Sequence, residues 1–78
     1  MTLFYFDIND GDHSMPDRIG TELSNRDEAR KEALAVLAPI ASESLPDHLT
    51  CPVTVTVRDG EKRPIFHASL TLVEDWID

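Results

Sequence analysis

The residues best suited to chemistry lie together near the start of the chain. The stretch FDINDGDHSMPD, Phe6 to Asp17, gathers Asp7, Asn9, Asp10, Asp12, His13 and Asp17 around Gly11. Oxygen ligands at alternate positions on a tightly turned backbone are what a calcium loop uses, with Gly at its sixth position and a bidentate carboxylate at its twelfth. Counted from Asp7, Asn9 fits, but Gly11 falls one position early, Asp12 takes the glycine place and Arg18 stands where the last carboxylate belongs. Counted from Asp10, Asp12 and Ser14 fit and Met15 displaces the glycine. The loop fails in both registers. A looser divalent-cation site from Asp10, Asp12, His13 and Asp17 stays open, although Asp, Asn and Gly are also what a turn selects with no ion bound.

Other chemistry is sparse. His13, His48 and His67 are dispersed, and Cys51 has no second cysteine with which to build a zinc site or an internal disulfide. Nothing beside Cys51 would depress its pKa, so it is expected to pack rather than react. Ser14 and Ser69 stand in no nucleophile-elbow pattern, and the glycines form no phosphate loop. No catalytic residue, cofactor or metal is assigned, and an enzyme is not expected.

The elements that position these residues follow from periodicity. In LFYFDIN, Phe4, Phe6 and Ile8 alternate with Leu3, Tyr5 and Asp7, the pattern of a strand with one buried face. Asp10-Gly11 turns the chain, and Thr21-Glu22-Leu23 can return as a short strand. Ser24 before Asp27, or Asn25 before Glu28, caps a helix whose stripe is Ala29, Ala33, Val36, Leu37, Ile40 and Ala41. Pro39 interrupts it, and helical character is expected to end near Ser44, before Pro46. PVTVTVR, Pro52 to Arg58, is a strand with Val53, Val55 and Val57 inward. Asp59-Gly60 opens a hairpin, and the return from about Arg63 to Val73 sets Phe66, Ala68, Leu70 and Leu72 opposite Ile65, His67, Ser69 and Thr71.

The expected fold is α+β, a small antiparallel sheet of three to four strands in β-β-α-β-β order with a single helix on one face. Residues 1–78 form one domain, since two cores would each be too small to fold. The uncovered face holds Leu3, Tyr5, Ile65, Val73 and Trp76, an apolar patch expected to pair with a second copy, there or along an adjacent sheet edge.

Charge narrows the partners. Fifteen acidic against seven basic residues give −8, which repels phosphate backbones and anionic membranes, so neither nucleic acid nor membrane is expected. A basic protein would be attracted. The start of the chain lacks a basic leader and an uninterrupted apolar run, and a cytoplasmic protein is expected.

FYFDINDGD, PDRIGTEL, EARKEAL and VTVTVRDGEKRPIFHASLTL, in this order from Phe4 to Leu72, resemble the small bacterial proteins grouped as domain-of-unknown-function family 6894. The resemblance implies a small α+β domain and no assigned activity. The spacing of Asp17, Gly20 and Leu23 is typical of it, while Pro39 departs from it. PDRIGTELSNRDEARKEAL is also similar to the region entering the helix of HicB-type antitoxins, whose partner is a small basic ribonuclease toxin. Three functional expectations follow: a non-enzymatic, homodimeric interaction domain with an acidic surface, an antitoxin-like inhibitor of a basic toxin, or a weak metal- or ligand-binding protein using the acidic turn.

Overall fold

A computed structural model describes residues 1–11, 13–44 and 52–78, apart from the side chains of Ala41 and Ser44. The expectations placed on Asp12, Pro46, His48 and Cys51 lie outside the described residues. The elements are β1 (Thr2–Asp10), β2 (Ser14–Met15), β3 (Thr21–Leu23), α1 (Arg26–Ser44), β4 (Val53–Arg58) and β5 (Pro64–Leu70). The fold is α+β, an antiparallel sheet with α1 packed on it. It carries five strands, because the turn after Asp10 ends in β2, a two-residue strand too short for any alternation to reveal.

Strand β1 is central, with β4 along one edge from Tyr5 to Asp10. Its other edge is shared by β2, opposite Ile8 and Asn9, and β3, opposite Thr2 to Phe4. Among the described residues β5 pairs with β4 alone and ends the sheet. The alternation in β1 and β4 delivers the core: Phe4, Phe6, Val53, Val55 and Val57 are buried against Ala29, Ala33 and Leu37 of α1. Two alanines on the helix stripe let its backbone approach the sheet closely. The valines supply branched side chains that fit a half-covered pleated surface.

Helix α1 starts at a reciprocal cap. The Glu28 amide donates to Asn25 Oδ1 at 2.9 Å, and the Ser24 amide donates to Glu28 Oε2 at 3.3 Å. Orphan amides at the helix start are satisfied this way, and Asp27 and Glu28 complement the dipole. The helix runs on through Pro39 to Ser44. Pro39 cannot donate to the Ala35 carbonyl, and both residues are exposed, so the unpaired carbonyl faces solvent instead of the core.

The β4–β5 hairpin turns at Asp59. Its Oδ1 accepts the amides of Glu61 and Arg63, and the Lys62 amide returns to the Asp59 carbonyl at 2.8 Å. The left-handed position falls on Lys62 (φ 66°), not on Gly60. Next to it the register slips, with Val57 opposite Phe66 but Arg58 opposite Pro64. Ile65 is the extra residue of this bulge.

Because Pro39 costs α1 a hydrogen bond and nothing in the packing needs the ring, Pro39→Ala is expected to stabilise the fold by about 1–3 kcal/mol. Urea unfolding measures this, and an unchanged or lower midpoint would show that the proline is accommodated at no cost.

Candidate functional site

The most connected polar group lies on the sheet face away from α1. Between β2 and β3 the chain must bridge three residues of β1, Tyr5 to Asp7, with five of its own, Pro16 to Gly20. The excess cannot continue the ladder. Asp17 closes the gap instead: its Oδ2 accepts the Phe6 amide at 3.1 Å and its Oδ1 accepts the amides of Ile19 and Gly20, each at 3.0 Å. The Asp17 amide donates to Asp7 Oδ1 at 2.8 Å.

Arg58 locks this arrangement to β4. Its Nε donates to Asp7 Oδ2 at 2.6 Å, and its Nη2 donates to Asp7 Oδ1 at 3.0 Å and to the Asp17 carbonyl at 2.9 Å. The planar guanidinium is suited to this forked contact and lies 4.9 Å from the centroid of the Tyr5 ring. The Arg58 and Asp7 side chains are only 20% and 27% exposed, so the pair is better shielded than a surface ion pair. Burial of the Asp17 carboxyl works against its ionisation. The backbone donors of Gly20, Phe6 and Ile19, with the Arg58 charge, outweigh that burial and hold its pKa below the ordinary carboxylate value. Gly20 adopts φ 82°, and a Cβ there would stand 2.8 Å from Leu3 Cδ1 and 3.1 Å from Tyr5 Cε1.

These contacts tie in the acidic turn at Asp17, whose two carboxylate oxygens both accept backbone amides. Asp10 Oδ1 lies 3.5 Å from His13 Nδ1 and has no hydrogen-bond partner among the described residues. Among the described residues no three His, Cys, Asp or Glu side chains converge as metal ligands, and no helix is long and apolar enough to cross a membrane.

The five residues expected on one apolar face are distributed over three places. Leu3 and Tyr5 remain on the outer face, but Gly20 and Arg58 lie against them. Ile65, placed outward by simple alternation, packs against the core because the bulge breaks that alternation. The rest of the outer face on β4 and β5 is polar: Thr54, Thr56, His67 and Ser69, with Thr54 Oγ1 and Ser69 Oγ hydrogen-bonded at 2.9 Å. Val73 and Trp76 lie beyond β5 in an irregular segment, residues 71–78, that is exposed throughout. There Val73 is 87%, Trp76 92% and Ile77 100% exposed.

A groove of about 570 Å³ opens at the other end of β5, lined by Thr2, Phe4, Asn25, Arg26, Asp59, Arg63, Pro64 and Ile65. Apolar side chains line it beside two arginines. Arg63 also contacts Glu61 at 3.0 Å and Asp59 at 3.4 Å, whereas Arg26 has no ion-pair partner among the described residues.

The family model described as Domain of unknown function (DUF6894) matches residues 3–71. The chain belongs to this family. No curated protein and no solved structure matches it. The matched segment contains Asp7, Asp17, Gly20 and Arg58, whereas Trp76 follows it.

In this family member the sequence assigned Asp17 and Gly20 to a turn but passed over Asp7 and Arg58. The available signal was a carboxylate in the middle of a strand and an arginine closing another, two charges that need partners on a half-covered face.

Gly20→Ala forces a β-carbon into left-handed backbone and against Leu3, at an expected cost of about 1–3 kcal/mol; thermal melting without a loss would mean the loop re-routes. Asp17→Asn is expected to cost about 1–3 kcal/mol at pH 7, because a neutral amide replaces an acceptor of three amides. Since the folded pKa is depressed, the Asp17 contribution is complete above the ordinary aspartate value of about 3.9 and is lost as pH falls from there through the lower folded pKa. Denaturant titrations of both proteins should therefore converge below pH 4. A difference that stays constant to pH 2 would assign the cost to packing rather than charge.

Proposed function

We propose that this chain is a non-enzymatic protein-interaction domain whose contact surface is the free edge of β5 and the apolar segment that follows it. The observation that carries the reading is the run of large exposed side chains from Leu70 through Leu72, Val73, Trp76 and Ile77, continuous with a strand that among the described residues has a neighbour on one side only. An unpaired edge presents backbone donors and acceptors to another chain, and adjacent exposed apolar area marks where that chain buries surface. The polar cluster supports the same reading from the other side. Asp7, Asp17 and Arg58 are spent on holding backbone in place, which accounts for them without substrate. Exposed Asp27, Glu28, Glu32 and Glu43 on α1 keep the surface acidic, which excludes acidic partners by repulsion more than it creates affinity.

The test is affinity capture from the native host at low salt with the full-length chain and with Val73→Asp/Trp76→Ala. The wild-type chain is expected to retain a protein at stoichiometric level, its own copy included, and the variant to lose it. Equal capture by both would remove the β5 edge and its extension from consideration.

A further inference from the structure

The interaction surface proposed above does not by itself name its partner, but the arrangement of tail and groove does. The groove beside Pro64 and Ile65 lies at the beginning of β5, and the exposed segment leaves from its end. The chain's own Trp76 cannot fill that groove. At about 3.3 Å per residue the segment from Leu70 to Trp76 is as long as the stretch of β5 it would have to retrace, with nothing left for the reversal.

A second copy meets no such limit. Trp76 lies as many residues after Leu70 as Pro64 lies before it. Antiparallel pairing about a two-fold axis at Leu70 therefore sets β5 of each copy against residues 70–76 of the other, with Trp76 at the Pro64 end. Phe66 and Ala68 pack against the core, the bulge adds Ile65 to that side, and a tail drawn into the strand with the same alternation would place Leu70, Leu72 and Trp76 there too. The groove opens there too, between the start of α1 and the sheet, lined by Phe4, Ile65 and Arg26.

Charge and edge chemistry point the same way. Glu74, Asp75 and Asp78 flank the tryptophan, while the groove holds Arg63, already paired with Asp59 and Glu61, and Arg26, which has no ion-pair partner among the described residues, so each tail brings carboxylates to an uncompensated guanidinium. Pro64 and the bulge at Ile65 protect only the start of the β5 edge, and FHASL beyond them contains no lysine or acidic residue.

We infer that the partner is a second copy of this chain, joined by antiparallel pairing of each β5 with residues 70–76 of the other, with Trp76 of each copy seated in the groove beside Pro64 and Ile65 of the other. The interface is isologous, so reciprocal exchange of tails closes the dimer and prevents a filament. This assignment rests on the reading of the β5 edge as an interaction surface.

The chain has one tryptophan, so its fluorescence reports the seat directly. Sedimentation equilibrium of the full chain is expected to give twice 8.8 kDa at tens of micromolar. Tryptophan emission should be blue-shifted and protected from acrylamide, and it should turn red on dilution with the midpoint of the mass transition. Trp76→Ala and Leu70→Lys, both at exposed positions of the single chain, should each weaken association about tenfold or more while leaving the circular dichroism spectrum unchanged. Arg26→Glu/Arg63→Glu should weaken it as well, and mixing that variant with Glu74→Arg/Asp75→Arg should restore mixed dimers. A dimer whose tryptophan stays fully quenchable overturns the seat. A monomer that still captures another protein through the β5 edge overturns self-pairing and leaves the interaction reading standing, whereas a monomer whose captures ignore every tail variant overturns both.

Discussion

The edge of β1 that faces away from β4 is supported by three backbone donors meeting one carboxylate, and the outer half of the molecule is organised around that meeting. β2 and β3 are too short to pair along the whole edge, and the five residues between them are too many to lie flat against it. Asp17 supplies the acceptor that a continuous strand would have supplied to Phe6, and its second oxygen holds the following turn. Asp7 can then receive the Asp17 amide, Arg58 can fork across Asp7, and Tyr5 can lie beneath the guanidinium. Gly20 is required because the turn must pass directly over Leu3 and Tyr5. A half-buried, charge-assisted acceptor of backbone amides is a strong interaction in a small fold, because each shielded donor left unpaired carries its own desolvation penalty.

The two faces of the sheet divide the tasks of a small domain. The helix side is wholly apolar among the described buried residues. The outer side has no second layer, and it keeps its shape through hydrogen bonds and one shielded ion pair rather than through burial. Such a chain has little apolar surface to spare for a second core, and the large side chains beyond Leu70 find no place in the first.

Much of the fold was legible in the sequence, and the limits have physical causes. Strict alternation in LFYFDIN and VTVTVR has only one stable reading, and the Ala-rich stripe shows the buried face of α1, while its cap stayed open between Ser24 with Asp27 and Asn25 with Glu28 until the structure placed it on Asn25 and Glu28. Three things were not legible. β2 is two residues long and leaves no period. The bulge at Ile65 follows from the left-handed Lys62 turn, which the Asp59-Gly60 pair disguised as a simpler hairpin. The Asp7–Asp17–Arg58 cluster joins residues far apart in the chain, and single-residue chemistry cannot show which charges a fold will bring into contact. Acidic density drew attention to Asp10, Asp12, His13 and Asp17 as a cation site, while the contacts of Asp17 run to backbone amides and those of Asp7 to Arg58 and the Asp17 amide.

The position of β1 also sets the order in which the molecule can assemble. Its outer-edge partners, β2 and β3, follow it at once, but its central partner, β4, comes only after the whole of α1, and the Arg58–Asp7 contact spans 51 residues of sequence. During synthesis Phe4 and Phe6 have neither β4 nor a docked helix to cover them until residues 53–58 have left the ribosome. Closing so long a loop is an entropic cost met before the core repays it, which favours slow folding relative to helical domains of this size. Strand β1 is thus made before the elements that cover it and is among the last to be secured.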